Sequence, residues 1–231
     1  MLRILFDEPL REERGRLKEI FDLAEELTSR YASSDTRVSG DRATLLAWMR
    51  SIATAFDELE QSVYCAAKYA ERVKRAYVEE MDEEEAAEYR RHLYFYKNGF
   101  IRLFSVLDKL GSFLNDRYQL HTERIKERYS YFTVLRRMRE LRQHPQLWQR
   151  LDEIKSAYRD PLHELRLMRN HEVHAINTEL LDERGRIRLR SRDGKEQVED
   201  LRHNVATLQS GFDMVGDSLH AVLMYCRKHG C

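Results

Sequence analysis

The chain has 231 residues, of which 42% are hydrophobic, and this is enough for one domain or two with a substantial core. Its 40 basic and 40 acidic residues cancel, which excludes an overall basic coat for nucleic acid but leaves room for a local basic patch. The three cysteines form no C-x-x-C motif, no segment approaches the roughly 18 apolar residues of a membrane span, and no signal-peptide pattern is present. We therefore expect a cytoplasmic protein that does not enter a membrane.

The sequence pattern of the amino-terminal part predicts one helix followed by a linker. Apolar residues recur at helical spacing over 11–31, and the stretch SSDTRVSGD (33–41) is rich in Ser, Asp and Gly, as linkers are. We therefore divide the chain into an accessory amino-terminal segment, 1–35, and a main helical domain, 41–231.

Three long helices dominate the main domain. Their apolar residues alternate at spacings of three and four over 41–81, 82–114 and 201–226. Asp82 and Glu85 have the spacing of a capping box at the start of the second helix. This alternation is typical of antiparallel bundles whose helices cross at small angles. The predicted fold class is all-α, an antiparallel bundle of long helices.

Shorter helices and one irregular segment lie between the second and third long helices. Helices are predicted over 131–142, from Pro145 onward, and over 162–177. In the segment 183–197, apolar residues alternate with arginines before an Asp-Gly pair that is typical of hairpin turns. This segment predicts a short β-hairpin insert or an arginine-rich loop.

The helix over 162–177 concentrates polar residues in the stretch LRLMRNHEVHAI (165–176). At about 100° per residue, one side of this helix forms an apolar arc. The arc consists of Leu162, Leu165, Met168, Val173, Ala175 and Ile176. The opposite side is a polar stripe of His163, Arg166, Asn170, His174 and Asn177.

Arg169 does not fit this division. It projects from within the apolar arc, roughly 140° from His174, and Glu172 lies one turn away. One interpretation is a solvated polar stripe with a structural Arg169–Glu172 ion pair at the edge of the core. The other is a functional cluster, because a buried arginine is costly unless it is paired.

The stretch RNHEVH resembles the signature of the HEPN superfamily (higher eukaryotes and prokaryotes nucleotide-binding domains), which is Arg, four to six residues, then His. Arg169, Asn170 and His174 match that signature, and the resemblance covers roughly 41–228. It implies a homodimer that brings two copies of the motif together, and in many members a metal-independent endoribonuclease. Several such enzymes are toxins or defence proteins paired with a nucleotidyltransferase-type antitoxin, whereas other members are non-catalytic binding modules.

The chemistry of these residues suits RNA cleavage without a metal. RNA supplies its own nucleophile, the 2′-hydroxyl, so His174 can act as the general base or acid and Arg169 can stabilise the charged phosphate. Asn170 can orient the imidazole or the phosphate. These three residues are the predicted catalytic group, and no metal or cofactor is expected. Residues that we expect to support them are His163, Arg166, His171 and Glu172.

Three ways remain open for Arg169 and His174 to converge. The arginine side chain bends around the helix, the helix is locally distorted, or each chain of a dimer contributes one group to a composite site. The candidate arginines for RNA binding lie elsewhere in the chain, and each of them is equally explained as part of a solvated surface. They are Arg136, Arg137, Arg139, Arg188 and Arg190.

Two other functions compete with the ribonuclease hypothesis. A metal enzyme is disfavoured, because the sequence HEVH lacks the H-E-x-x-H spacing and the pairs Asp200/His203 and Asp217/His220 are too far apart to share an ion. The stronger competitor is a non-catalytic helical module that binds a nucleotide, RNA or protein through the same residues.

Overall fold

The computed structural model describes residues 2–12, 14–33, 39–174 and 194–230, and this part of the chain folds into α-helices with short 3₁₀ turns and without a strand. The fold is therefore all-α, as predicted. The helices are α1 (Gly15–Ser33), α2 (Ser39–Ala70), α3 (Glu83–Arg117), α4 (Tyr131–Leu141), α5 (Pro145–Ala157), α6 (Arg159–His174) and α7 (Leu201–His229). None of the described helices combines the length and the apolar character needed to span a bilayer.

The first long helix is shorter than predicted. Helix α2 ends at Ala70, so the prediction that it continues to Met81 is wrong. Beyond Ala70, the carboxylate of Glu85 accepts hydrogen bonds from the backbone N–H groups of Lys74 and Arg75. In a continuing helix those two N–H groups would bond carbonyls of the preceding turn. The carboxylate of Glu85 takes the place of those carbonyls and so stabilises the end of α2, which the apolar periodicity of the sequence does not reveal.

Two predicted helix starts are confirmed. The carboxylate of Asp82 accepts a hydrogen bond of 2.8 Å from the backbone N–H of Glu85, which caps α3. Pro145 occupies the first turn of α5, where its missing N–H is not needed.

The β-hairpin predicted over 183–197 is not formed in the described part of that segment, and residues 183–193 lie outside the described residues. Gly194 has φ +76°, as the turn signal suggested. Gln197, however, forms an isolated antiparallel bridge with Tyr77, and the N–H of Val198 donates to the carbonyl of Ala76 at 2.9 Å. Residues 196–198 therefore pair with the chain that follows α2.

The chain divides into two compact units by its contacts. Unit 1 consists of Met1–Pro9, Leu59–Ile101 and Asp160–Gly211. Within it, α2 and α3 run antiparallel, because the hydroxyl of Ser62 donates to Asn98 at 3.0 Å and the ring of His92 bonds the carbonyl of Ala66 at 2.8 Å. Helix α7 approaches α3 closely at Gly99, against Leu208.

Unit 2 consists of Leu10–Glu58, Arg102–Arg159 and Phe212–Cys231. Here too α2 and α3 are antiparallel, since Lys109 donates to Ser51 at 2.9 Å and Arg102 pairs with Glu58. Aromatic stacking of Phe56 on Phe212, with ring centroids 5.0 Å apart, joins α2 to α7. The antiparallel bundle is thus present in each unit, whereas the predicted boundary between 1–35 and 41–231 stays a prediction.

Candidate active site on helix α6

Helix α6 belongs to unit 1 from Asp160 onward, and it is anchored by its first half. Leu162 and Leu165 are buried, and Met168 is half-buried. Further along, Leu167 is 55% and Val173 is 53% exposed. In the predicted apolar arc, Leu162 and Leu165 are therefore buried and Val173 is exposed, whereas Ala175 and Ile176 lie outside the described residues.

Arg169 lies at the point where this burial ends. Its side chain is half-buried, and its guanidinium donates a hydrogen bond of 3.1 Å to the side-chain oxygen of Asn170. Asn170 is exposed on the polar stripe, so the arginine bends out of the apolar arc towards that stripe. A planar guanidinium held at a partly exposed position is suited to bind a phosphate through two parallel hydrogen bonds.

Glu172 pairs with a lysine from another helix. Its carboxylate lies 3.2 Å from the ammonium group of Lys97 on α3, and both side chains are partly exposed. Sequence reasoning missed Lys97, because the residue of α3 that faces α6 depends on how the two helices pack. This ion pair joins α3 to the end of α6 that carries Arg169, and its two charges cancel.

The histidines of α6 are spread around its exposed side. The ring of His163 bonds Arg166 at 3.4 Å, one turn apart on the exposed surface, and His171 is also exposed. His174 is the last helical residue of α6, and its side chain lies outside the described residues. The structure thus brings Arg169 and Asn170 together and places His174 one turn beyond Asn170 on the helix.

Two of the five arginines predicted to bind RNA have other partners in the described part of the chain. In unit 2, the guanidinium of Arg137 donates to the carbonyl of Leu120 at 3.2 Å, and Arg136 lies 3.8 Å from Glu140. Arg139 is exposed on the same helix, α4. Arg188 and Arg190 lie outside the described residues. Arg137 therefore stabilises the chain segment at Leu120, a contact that the sequence did not predict.

Residues of the two Asp/His pairs, which lie at the start of α7 and within it, form hydrogen bonds inside the fold. Asp200 accepts a hydrogen bond of 3.0 Å from the backbone N–H of His203, and the ring of His203 lies 2.9 Å from Glu164 on α6. In unit 2, Asp217 accepts a hydrogen bond of 3.2 Å from the hydroxyl of Tyr158. Among the described residues, no group of three or more His, Cys, Asp or Glu side chains is arranged to hold a metal ion.

Comparison with known proteins identifies a family for this chain. The family model of Cthe2314-like HEPN domains matches residues 48–227, which include all of α3 to α6 and the motif on α6. No curated protein and no solved structure matches the chain.

Proposed function

The chain belongs to the Cthe2314-like HEPN family, and on that premise we propose that it is a metal-independent endoribonuclease whose catalytic residues are Arg169, Asn170 and His174. The observation that carries this proposal is the hydrogen bond from the guanidinium of Arg169 to Asn170. This bond turns the arginine towards the side of α6 on which His174 follows Asn170 by one turn.

The proposed reaction is an attack within the RNA strand. His174 accepts the proton of the 2′-hydroxyl, and the 2′-oxygen then forms a bond to the adjacent phosphorus. The bond from phosphorus to the 5′-oxygen breaks, and that oxygen takes a proton from water as it leaves, while protonated His174 returns its proton to the solvent. The products are a 2′,3′-cyclic phosphate and a 5′-hydroxyl.

Arg169 stabilises the extra negative charge that develops on the phosphate oxygens in the transition state. Asn170 fixes the orientation of that guanidinium through its side-chain oxygen. The ion pair of Lys97 with Glu172 has a supporting role, because it fixes the end of α6 that carries the motif against α3. His163, Arg166 and His171 contribute exposed polar groups to the same helix.

We further propose that two copies of the chain pair through the surface around this motif. Two helices of unit 1 expose large apolar side chains, and the ion pair of Lys97 with Glu172 joins those helices. The exposed side chains are Tyr94 and Ile101 on α3 and Leu167 and Val173 on α6. Apolar side chains exposed in this way are typical of protein–protein interfaces, and a two-fold axis at this surface brings two motifs together.

The dimer is tested by light scattering on the purified protein. We expect the mass of two chains for the wild type and of one chain for Leu167→Asp. Leu141→Asp is the matched control, because Leu141 is an exposed leucine of α4 in unit 2. A monomeric wild type, or a Leu167→Asp variant that stays dimeric, contradicts this interface.

The proposed biological role is that of a toxin or defence protein, with a nucleotidyltransferase-type protein as its antitoxin. Its support is the family to which the chain belongs. Expression of the chain in a bacterial host is expected to stop growth, and Arg169→Ala is expected to restore it. Equal growth arrest by the wild type and Arg169→Ala contradicts a toxin that acts through this motif.

The ribonuclease activity is tested by incubating the protein with structured and single-stranded RNA in the presence of EDTA. We expect cleavage by the wild type and a loss of about 1,000-fold in rate for Arg169→Ala and for His174→Ala. Arg159→Ala is the matched control, because Arg159 is an exposed arginine at the opposite end of α6. Cleavage that survives both motif substitutions rules out this site, and RNA binding without cleavage supports the non-catalytic binding module.

A further inference from the structure

Unit 2 contains a basic groove that has no role in the proposed reaction. The groove has a volume of about 660 Å³ and is formed by Arg16 of α1, the first half of α5 and the last four turns of α7. Four permanently positive side chains line it, whereas Asp217 is the acidic residue among its described lining. The positive residues are Arg16, Arg150, Arg227 and Lys228.

Arg16 lies 3.6 Å from Asp217 and 2.8 Å from the ring of His220, whereas the carboxylates that pair with Arg150 and Arg227 are weak competitors for a ligand. Arg150 lies 3.2 Å from Glu153 and Arg227 lies 3.7 Å from Glu26, and all four side chains are well exposed. Ion pairs between exposed side chains contribute little to stability, so a phosphate can replace the carboxylate at low cost. Lys228 is exposed and makes no ion pair with a described residue.

Aromatic rings lie beside these charges. The rings of Tyr225 and His229 both line the groove, and their centroids are 4.4 Å apart. The hydroxyl of Tyr225 is 3.0 Å from the ring nitrogen of His144, which in turn packs against Tyr118 with ring centroids 3.9 Å apart. Tyr225 is therefore fixed in position before any ligand arrives.

We propose that this groove binds single-stranded RNA, with its cations on the phosphates and with bases stacking on Tyr225 and His229. A positively charged groove lined by aromatic rings is the usual means by which proteins hold single strands without sequence preference. An acidic peptide would use the cations but would not stack on the rings, so charge and rings together favour a nucleic acid.

The experiment measures binding of fluorescein-labelled dT20 by fluorescence anisotropy over a range of salt concentrations. DNA lacks the 2′-hydroxyl, so this probe survives the proposed cleavage and reports binding whether or not the chain is a ribonuclease. If dT20 does not bind in the groove, the proposed catalytic role of Arg169 is therefore unaffected. If Arg169 proves not to be catalytic, the proposal for the groove is equally unaffected.

Arg150→Glu and Lys228→Glu are each expected to weaken binding by on the order of tenfold and to lower the salt slope by about 0.7 for each lost phosphate contact. Lys155→Glu is the matched control, because Lys155 lies on α5 and pairs with Asp152 at 2.9 Å but does not line the groove. It is expected to change the affinity by less than about twofold. If all three charge reversals weaken dT20 binding equally, the proposal is overturned, because binding then depends only on the total charge of the protein.

A competition experiment separates the two kinds of polyanion. We expect unlabelled dT20 to displace the probe and an acidic peptide of equal charge to displace it poorly. Equal displacement by both overturns the assignment to nucleic acid and favours an acidic protein partner.

Discussion

The two halves of α3 lie in different units and differ in what they bury. In unit 2, this helix buries mainly apolar side chains, and Gly111 lets the backbone of α4 approach at Tyr131. In unit 1, the same helix buries the imidazole of His92 and the phenol of Tyr96, and neither the Nε2 of His92 nor the hydroxyl of Tyr96 has a hydrogen-bond partner among the described residues.

The two halves of α3 therefore differ in what they contribute to the stability of the fold. A close-packed apolar half stabilises the fold, whereas buried polar groups without partners reduce stability. Unit 1 also carries the Arg169–Asn170 pair and the ion pair of Lys97 with Glu172. We therefore expect substitutions at the motif of unit 1 to change activity and substitutions at the close contact in unit 2 to change stability.

The largest expected effect is on activity, in unit 1. Arg169→Lys keeps the positive charge but removes the planar fork that holds a phosphate and the bond to Asn170, so the cleavage rate should fall about 100-fold, or about 2.7 kcal/mol. The midpoint of thermal unfolding should stay near that of the wild type, because the side chain is partly exposed. A lysine variant as active as the wild type would show that charge alone is needed at this position.

The next largest effect is on stability, in unit 2. A Cβ atom at Gly111 would lie 2.8 Å from the Cα of Tyr131, and a backbone atom cannot move aside as a side chain can. Gly111→Ala should therefore lower the free energy of unfolding by about 2 kcal/mol, as measured by urea denaturation.

Gly216→Ala is its matched control. Gly216 also lies in a helix of unit 2, but the atom nearest to an added Cβ is 3.5 Å away, in the ring of Phe56. Since alanine is the better helix former by about 1 kcal/mol, this variant should be as stable as the wild type or more stable. Equal losses at both positions would show that Gly111 is not a close contact.

The helices were predictable from the sequence because their signals are local. Asp82 and Pro145 act within one turn of their own helix, and both predictions are confirmed. The end of α2 was not predictable, because it depends on Glu85 in the next long helix and on the segment around Val198, which lies far along the chain.

In the candidate site, too, the residues with local signals were predictable and those brought in by tertiary packing were not. The motif Arg169–Asn170–His174 could be found because its residues are neighbours on one helix, and the family match confirms the resemblance on which it rested. Lys97 and the hydrogen bond of Arg137 to Leu120 could not be found, because each joins parts of the chain that only tertiary packing brings together.

A third prediction concerns pH and the buried imidazole of unit 1. Burial holds the pKa of His92 below its usual value, against the opposing effects of the bond to Ala66 and the charge of Glu199. In the unfolded chain this histidine takes up a proton near pH 6.5, whereas in the folded chain it does so only at lower pH. The unfolded state therefore binds more protons in this window, and stability should fall as the pH is lowered from about 7.5 to 5.5.

The slope should be smaller in His92→Gln, by at most about 1.4 kcal/mol per pH unit. The measurement is urea denaturation at a series of pH values. Part of the slope should remain in the variant, because burial also lowers the pKa of His144 and His220 in unit 2. An unchanged slope in His92→Gln would show that His92 does not titrate differently in the two states.

The smallest effect, and the sharpest comparison of the two units, comes from removing one hydroxyl in each. The hydroxyl of Tyr96 in unit 1 is buried without a partner among the described residues, whereas that of Tyr131 in unit 2 is 3.5 Å from the hydroxyl of Ser218. Tyr96→Phe should therefore raise the free energy of unfolding by about 1 kcal/mol, because it removes a buried polar group that forms no bond. Tyr131→Phe should lower it by about 0.5 kcal/mol, since that bond is long. Urea denaturation measures both, and a loss of stability in Tyr96→Phe would mean that its hydroxyl is bonded in solution.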